Sequence, residues 1–212
     1  MRKPPRLPPE ALAPYQHEMP FRGPLPAIDW AAMFSNANPV EVEVGFGKGL
    51  FLTTAAMANP GTNYYGVEIV RKYQLLVASR MARRSLANVR VTCGDGKLIL
   101  SDAVPAGSVQ TVHVYFPDPW WKTRHHKRRL FVPEFAKAAE RAIRPGGHLL
   151  VVTDVADYAA MVRETVAAHT GMKELPPPEE KAPTHDMDYL TNFERKFRQE
   201  GRTIHRMAYE RG

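Results

Sequence analysis

One short run near the middle of the chain combines an acid, two indoles and a block of positive charge. It reads Phe116-Pro-Asp-Pro-Trp-Trp-Lys-Thr-Arg-His-His-Lys-Arg-Arg129. Asp118 lies between two prolines, so its backbone is held in a restricted conformation. The preceding apolar run, 109–115, is typical of a buried strand. A carboxylate at a strand end, followed by aromatic rings and cations, suits a site that binds a base and its surrounding phosphates.

A glycine-rich turn follows an earlier strand and reads Glu43-Val-Gly-Phe-Gly-Lys-Gly49. Gly45 and Gly47 allow the backbone to approach a ligand closely, and the next helix begins with free N–H donors. Leu50 occupies the position where a dinucleotide fingerprint needs its third glycine, and the spacing differs from that of a phosphate-binding Walker loop. A tight strand-to-helix turn without a ligand remains an alternative at this point.

Three acids fall at the ends of three predicted strands. Glu43 precedes the glycines, Glu68 follows roughly 20 residues later, and Asp95 ends the third strand. Glu68 is well placed to accept both hydroxyls of a ribose. Any one of these acids could instead cap a helix. Together they suit a ligand that carries an amine, a ribose and an adenine amino group but no phosphate.

Strands and helices alternate along most of the chain. We predict strands at 40–44, 64–67, 89–93, 109–116, 148–154 and 202–210, and helices at 48–59, 70–86, 97–103, 132–143 and 156–169. This alternation predicts an α/β fold with a parallel sheet covered by helices on both faces. Residues 1–38 are rich in proline and are predicted to form an extended arm, with 39–212 as the domain. A surface loop is expected at 176–183, then an amphipathic segment at 190–197.

The bulk properties indicate a globular protein that meets a polyanion. The net charge is +7, and without the cationic run 122–129 it would be +2. A second acid-free stretch, 69–94, carries six Lys or Arg residues. Such clustering favours nucleic acid as partner. With no long apolar stretch and no signal-peptide pattern, we expect a cytoplasmic protein without membrane contact. Cys93 is the single cysteine, and no metal site is expected.

The layout of these motifs resembles the class I S-adenosylmethionine-dependent methyltransferases, and within them the tRNA (guanine-N7)-methyltransferases. The resemblance rests on the glycine turn, Gly66-Val-Glu-Ile69, the run 116–129, Thr153-Asp154 and Thr191-Asn-Phe-Glu194. It implies a Rossmann-like fold with a mostly parallel seven-stranded sheet. It also implies S-adenosylmethionine as cofactor and tRNA as partner, with methyl transfer to N7 of a guanine in the variable loop.

Site roles are assigned from the resemblance and from the residues themselves. The cofactor is expected to meet Glu43, Gly45, Gly47, Glu68, Asp95 and, in part, Asp118. The substrate is expected to meet Lys122, Arg124, Asp154, Thr191, Asn192, Phe193 and Glu194. Lys127, Arg128 and Arg129 are expected to contact RNA phosphates. Asp118 is the predicted central catalytic residue.

Guanine N7 carries a lone pair and no proton, so its methylation needs orientation rather than a base. The N1 and N2 donors of guanine call for carboxylate acceptors, and Asp118, Asp154 and Glu194 are candidates. Trp120 either stacks on a base or packs beneath the turn. Alternatives are an amino-methyltransferase acting on adenine or cytosine, a nicotinamide-dependent oxidoreductase, and a non-catalytic RNA-binding protein with this fold. Both a monomer and a homodimer are consistent with the sequence.

Overall fold

The computed structural model describes residues 7–20, 23–120, 124, 129–177, 189 and 191–212. Its centre is a seven-stranded sheet in the order β3-β2-β1-β4-β5-β7-β6. The strands are β1 Val40–Val44, β2 Asn63–Glu68, β3 Val89–Cys93, β4 Val109–Tyr115, β5 Ile143–Thr153, β6 Lys173–Leu175 and β7 His205–Glu210. The first five run parallel, and β7 lies antiparallel between β5 and β6. The predicted mostly parallel seven-stranded sheet is confirmed.

Helices cover both faces of this sheet. They are α1 Pro9–Leu12, α2 Trp30–Phe34, α3 Leu50–Ala58, α4 Arg71–Arg84, α5 Gly96–Leu98, α6 Pro133–Ala142, α7 Ala156–His169 and α8 Asn192–Gln199, with a π-helical turn at Ile99–Ala103. Neighbouring strand residues point to opposite faces, so the sheet has two apolar cores. Val114 packs with α6 and α7, whereas Tyr115 packs with α3 and α4. Within the described ranges, no helix is long and apolar enough to span a membrane.

Two parts of the sheet differ from the prediction. Strand β5 begins at Ile143, so residues 144–147, which lie between the predicted helix 132–143 and the predicted strand 148–154, belong to the strand. The register of β4 against β5 shifts between Val109 and Thr111, and Gly146 has φ of 71°, which accommodates this irregular stretch. Strand β6 was missed because it has only three residues and lies at the sheet edge, where no apolar alternation marks it.

The proline-rich segment packs against the domain at the β3 edge of the sheet. Gln16 forms a parallel bridge with Val91, and the His17 N–H donates to the Val91 carbonyl at 3.0 Å. Leu12 is buried in the core beside α4, and Ile28 is buried in the core on the opposite face. The segment therefore passes around the edge strand from one face to the other. The boundary at residue 38 stays a prediction.

Candidate functional site

The turn between β1 and α3 is built from glycines in left-handed conformations. Gly45, Gly47 and Gly49 have φ of 84°, 50° and 66°. At Gly49 a side chain is excluded for a second reason, since an added Cβ would lie 2.6 Å from a methyl group of Val77. The turn brings backbone N–H groups to the carboxyl edge of the sheet, at the start of α3.

Glu68 ties this turn to the next strand end. Its Oε2 accepts from the Gly47 N–H at 2.9 Å, and its Oε1 accepts from the Val70 N–H at 3.0 Å. The residue is 8% exposed, so the carboxylate is fixed by backbone donors from two loops. Each carboxylate oxygen has a further lone pair that can accept a ligand hydroxyl.

Glu43 is the most unusual acid of the site. It is 2% exposed, and its Oε2 has no hydrogen-bond partner among the described residues. Burial, with the nearby Glu68 carboxylate adding to it, raises the pKa of Glu43 to about 8. A buried acceptor without a donor is costly, so this carboxyl is poised for a cationic donor that the described residues do not supply.

Asp95 closes the third strand end and caps α5. Its side chain accepts from the Lys97 N–H at 2.9 Å. Two large apolar side chains near the strand ends are unusually exposed, Ile69 at 67% and Leu98 at 54%. The sequence reasoning missed both, although each follows a strand-end acid within three residues. They offer apolar surface for a flat ring beside polar acceptors.

The acidic turn after β4 has a constrained backbone. Phe116 and Trp120 have φ of 49° and 45°, values that non-glycine residues rarely adopt. The Phe116 N–H donates to the Val152 carbonyl at 2.7 Å, and Arg129 Nε donates to the Pro119 carbonyl at 2.8 Å. Asp118 itself is exposed. The turn is therefore held at both ends while its carboxylate faces solvent.

Helix α8 brings the predicted substrate segment to this turn. Thr191 caps the helix by accepting from the Glu194 N–H at 3.0 Å. Phe193 is 55% exposed, and its ring centroid lies 6.5 Å from that of Phe116. Phe197 packs between them, at 5.5 Å from Phe116 and 6.0 Å from Phe193. The aromatic cluster of Phe116, Phe193 and Phe197 joins α8 to the acidic turn.

The three carboxylates considered for guanine differ in their surroundings. Glu194 is 1% exposed and forms ion pairs with Arg198, at 2.8 Å, and with Arg206. Asp154 pairs with Arg202 at 2.8 Å. Both acids thus have arginine partners that hold them in place, whereas Asp118 is exposed. This difference favours Asp118 as the acid that meets a substrate.

Part of the predicted cationic surface lies outside the described residues, namely Lys122, Lys127 and Arg128. Arg124 is described and exposed. Arg129 is half-buried, and besides its bond to Pro119 it lies over the ring of Tyr158, with its guanidinium carbon 6.0 Å from the centroid. The phosphate contact expected of Arg129 stays a prediction.

Known proteins share both sequence and fold with this chain. A family described as putative methyltransferase matches residues 37–207. A tRNA (guanine-N(7)-)-methyltransferase of Rhodopirellula baltica is 41% identical over 194 residues, covering 88% of this chain and 72% of that protein. Another protein of that name, from Geobacter metallireducens, is 36% identical, covering 86% of this chain and 87% of that protein. This chain belongs to the tRNA (guanine-N(7)-)-methyltransferase family.

Solved structures match this member of the tRNA (guanine-N(7)-)-methyltransferase family at low sequence identity. The 16S rRNA methyltransferase KamB has a TM-score of 0.59 at 16% identity, covering 87% of this chain and 94% of its own. The aminoglycoside resistance methyltransferase NpmB1 has a TM-score of 0.57 at 17% identity, covering 84% and 90%. At these identities the likeness concerns the fold alone. The expected Rossmann-like class I methyltransferase fold is confirmed.

Proposed function

We propose that this protein transfers a methyl group from S-adenosylmethionine to N7 of a guanine in tRNA, forming N7-methylguanosine. Its relatives named for this reaction cover most of the chain. The single structural observation that carries the proposal is Glu43, a buried carboxyl at a strand end with an oxygen that no described residue partners. A pure RNA-binding protein would gain nothing from such a group, because RNA presents phosphates that a carboxylate repels.

The residues at the strand ends fit S-adenosylmethionine. Its ammonium group would supply the donor that Glu43 lacks, and its ribose hydroxyls would donate to Glu68. Ile69 and Leu98 would flank the adenine ring, and Asp95, which follows β3 at the same edge of the sheet, would accept from its amino group. No phosphate site is needed, in agreement with three acids around the pocket. Gly45 and Gly47 would let the backbone approach the methionine portion.

The reaction needs alignment more than proton transfer. S-adenosylmethionine supplies an electrophilic methyl group on a sulfonium, and guanine N7 supplies the lone pair. Asp118 would hold the guanine through its N1 and N2 donors, because its carboxylate is exposed on a turn fixed at both ends. Positioning of this kind can lower a barrier by several kcal/mol. Asp118 is therefore proposed as the catalytic residue by orientation, and no general base is required.

The remaining substrate contacts are proposed around α8 and the cationic run. Phe193 offers an exposed ring next to the acidic turn, and Thr191 and Asn192 lie at the N-terminus of the same helix. Asp154 would orient Arg202, and Glu194 would hold α8 through its arginine pairs. The cations of 122–129 would neutralise RNA phosphates and make binding salt-dependent. We propose a cytoplasmic enzyme, since tRNA is its substrate, acting as a monomer or a homodimer.

The decisive experiment incubates the protein with an unmodified tRNA transcript and S-adenosylmethionine labelled in its methyl group, followed by nucleoside analysis. The expected product is N7-methylguanosine at one position. Methyl on adenine or cytosine would establish the amino-methyltransferase alternative, and RNA binding without any product would establish the non-catalytic one.

The role of Asp118 is tested by Asp118→Ala, with Asp102→Ala as the matched control. Both acids are exposed, but Asp102 lies in the π-helical turn on a different part of the domain. Asp118→Ala should reduce turnover by at least about 100-fold, with a much smaller loss of S-adenosylmethionine affinity, since Asp118 is expected to meet the cofactor only in part. Asp102→Ala should match the wild type. Equal turnover by the two variants would remove Asp118 from the site.

A further inference from the structure

Three polar side chains joined by hydrogen bonds lie on the α3 side of the sheet and have no place in the proposed reaction. Glu41 Oε2 lies 2.8 Å from His113 Nε2, and His113 Nδ1 lies 2.7 Å from the Tyr115 hydroxyl. His113 is 4% exposed and Tyr115 is 7% exposed. His113 and Tyr115 are therefore nearly closed to water, and their hydrogen bonds must be satisfied internally, whereas the Glu41 side chain is 17% exposed.

These three side chains lie directly beside Glu43. In the register of β1 against β4, Glu43 is opposite His113, and Glu41 is opposite Thr111. Side chains two residues apart on a strand share a face. Glu41, Glu43, His113 and Tyr115 thus form one polar layer between the two strands. Phe51 of α3 packs over it, with ring centroids 4.5 Å from His113 and 5.0 Å from Tyr115.

The two hydrogen bonds define where the protons lie in a neutral imidazole. The Glu41 carboxylate can only accept, so His113 Nε2–H donates to it. His113 Nδ1 is then an acceptor, and the Tyr115 hydroxyl donates to it. Each bond has one proton and every polar group is satisfied. The direction of these hydrogen bonds matters, because the single hydroxyl proton of Tyr115 points toward His113 and not toward a neighbouring carboxyl.

Several carboxyl groups lie near Tyr115, but its hydroxyl donates to His113 instead. Burial raises the pKa of Tyr115 well above its ordinary value, and Glu43, Glu41 and Glu194 add to this. Tyr64 of β2 is a further, weaker contributor. The phenol therefore stays protonated and is a potential donor in a layer of acceptors. Even so, Glu43 Oε2 has no hydrogen-bond partner among the residues described.

We propose that the Glu41–His113 pair is a positioning device that binds the Tyr115 hydroxyl proton and so keeps Glu43 free for the ammonium group of the cofactor. The inference rests on the proposed cofactor site. Without the pair, the buried hydroxyl would lose its acceptor and would donate to the next carboxyl in the layer, which is Glu43. His113 and Glu41 thus act through Tyr115, without contact to substrate or cofactor.

The number of protons released on cofactor binding reports on this arrangement. Glu43 lies near Glu68 of β2 and near Tyr115 of the polar layer. It is mostly protonated at neutral pH because its pKa is raised. An arriving ammonium group favours the carboxylate, so the Glu43 proton leaves on binding. A hydrogen bond from Tyr115 would ionise Glu43 in advance and remove that release.

The test uses isothermal titration calorimetry of the full chain with S-adenosylmethionine at about pH 8, in two buffers of different ionisation enthalpy. The wild type should release about half a proton from Glu43, because the carboxyl titrates near that pH. The same titration of Glu43→Gln measures the background from the amino group of the cofactor, and this background is subtracted throughout.

Glu41→Leu/His113→Leu removes the pair together, so no single charge is left buried. The number of protons that this double variant releases on cofactor binding should fall below about a fifth of the wild-type value, because Tyr115 then donates to Glu43. Adding Tyr115→Phe deletes the competing proton and should restore the wild-type release. If the pair only supported the fold, removing the Tyr115 hydroxyl as well would not restore the lost proton release. Wild-type release by the pair variant, or no restoration by Tyr115→Phe, overturns the inference.

Tyr115→Phe alone keeps the proposal falsifiable where the pair variant fails to fold. It should release as many protons as the wild type, since the hydroxyl does not donate to Glu43 in the native chain. A changed release in this single variant overturns the inference. Saturable binding of S-adenosylmethionine by the wild type tests the proposed function separately. If it is absent, the proposed function itself is overturned, whatever the proton release of the variants.

Discussion

Glu43→Gln should stabilise the cofactor-free protein, and the gain should grow as the pH rises. The carboxyl of Glu43 is 2% exposed, and its pKa is raised from 4.5 to about 8 by burial and by Glu68. The folded state therefore binds its proton more tightly than the unfolded state does. The stability linked to that proton is fully present below about pH 4.5 and is lost as the pH rises through about 8. Glutamine has no proton to lose and avoids this loss.

The size of the effect follows from the difference between the two pKa values. That difference of about 3.5 corresponds to about 5 kcal/mol when the carboxyl is ionised in both states. Between about pH 5 and about pH 8, about 3.5 kcal/mol of this stability is lost from the wild type. Over that range the free energy of unfolding of the variant should thus rise by about 3.5 kcal/mol relative to the wild type. Such a gain is large against a typical total of about 5–15 kcal/mol.

Urea unfolding without cofactor, followed by circular dichroism across this pH range, measures the difference. Glu164→Gln is the matched control, because Glu164 is exposed on α7 and the substitution is the same. The control should run parallel to the wild type, while Glu43→Gln diverges upward with pH and binds the cofactor more weakly, through the glutamine carbonyl alone. A constant difference between Glu43→Gln and wild type at all pH values would refute the reasoning that burial holds the Glu43 proton.

Three further substitutions probe the turn, the α8 anchor and the exposed ring. Gly49→Ala should lower stability by about 2 kcal/mol or more, because its backbone is left-handed and the new methyl would meet Val77; an unchanged urea midpoint would contradict this. Glu194→Gln should cost about 3 kcal/mol by leaving Arg206 without its buried anion, and a loss under about 1 kcal/mol would show that the pair does not hold α8. Phe193→Ala should change stability by less than about 1 kcal/mol, since the side chain is 55% exposed, yet raise the KM for tRNA several-fold. Steady-state kinetics with unaltered KM would argue against an RNA contact there.

The first five strands and the strand-end acids were predictable from the sequence. Apolar runs of strand length, each followed by a helical pattern, mark a parallel sheet, and its carboxyl edge gathers the residues that follow each strand. Glu43, Glu68 and Asp95 could be placed together on this basis alone. Strand β6 could not be predicted, because three partly exposed residues carry no periodic signal.

The partners of the buried acids could not be read from the sequence either. Glu41 and His113 are 72 positions apart, and they meet only because β1 lies beside β4 in one particular register. Glu194 likewise depends on Arg206, which is delivered by β7. Such pairings depend on the order of the strands in the sheet. The apolar pattern of the sequence predicts each strand separately and does not give that order. For the same reason the arginine partners that set Asp154 and Glu194 apart from Asp118 could not be read from the sequence.

The position of β7 inside the sheet has a consequence for synthesis of the protein. It is the last strand in chain order, yet it lies between β5 and β6. A nascent chain that has emerged from the ribosome only as far as β6 can complete the sheet from β3 to β5, but β6 has no strand to pair with. Arg206, which anchors α8 through Glu194, arrives with the same final strand. The cofactor half can therefore form during translation, while the half that would receive tRNA waits for β7 to emerge.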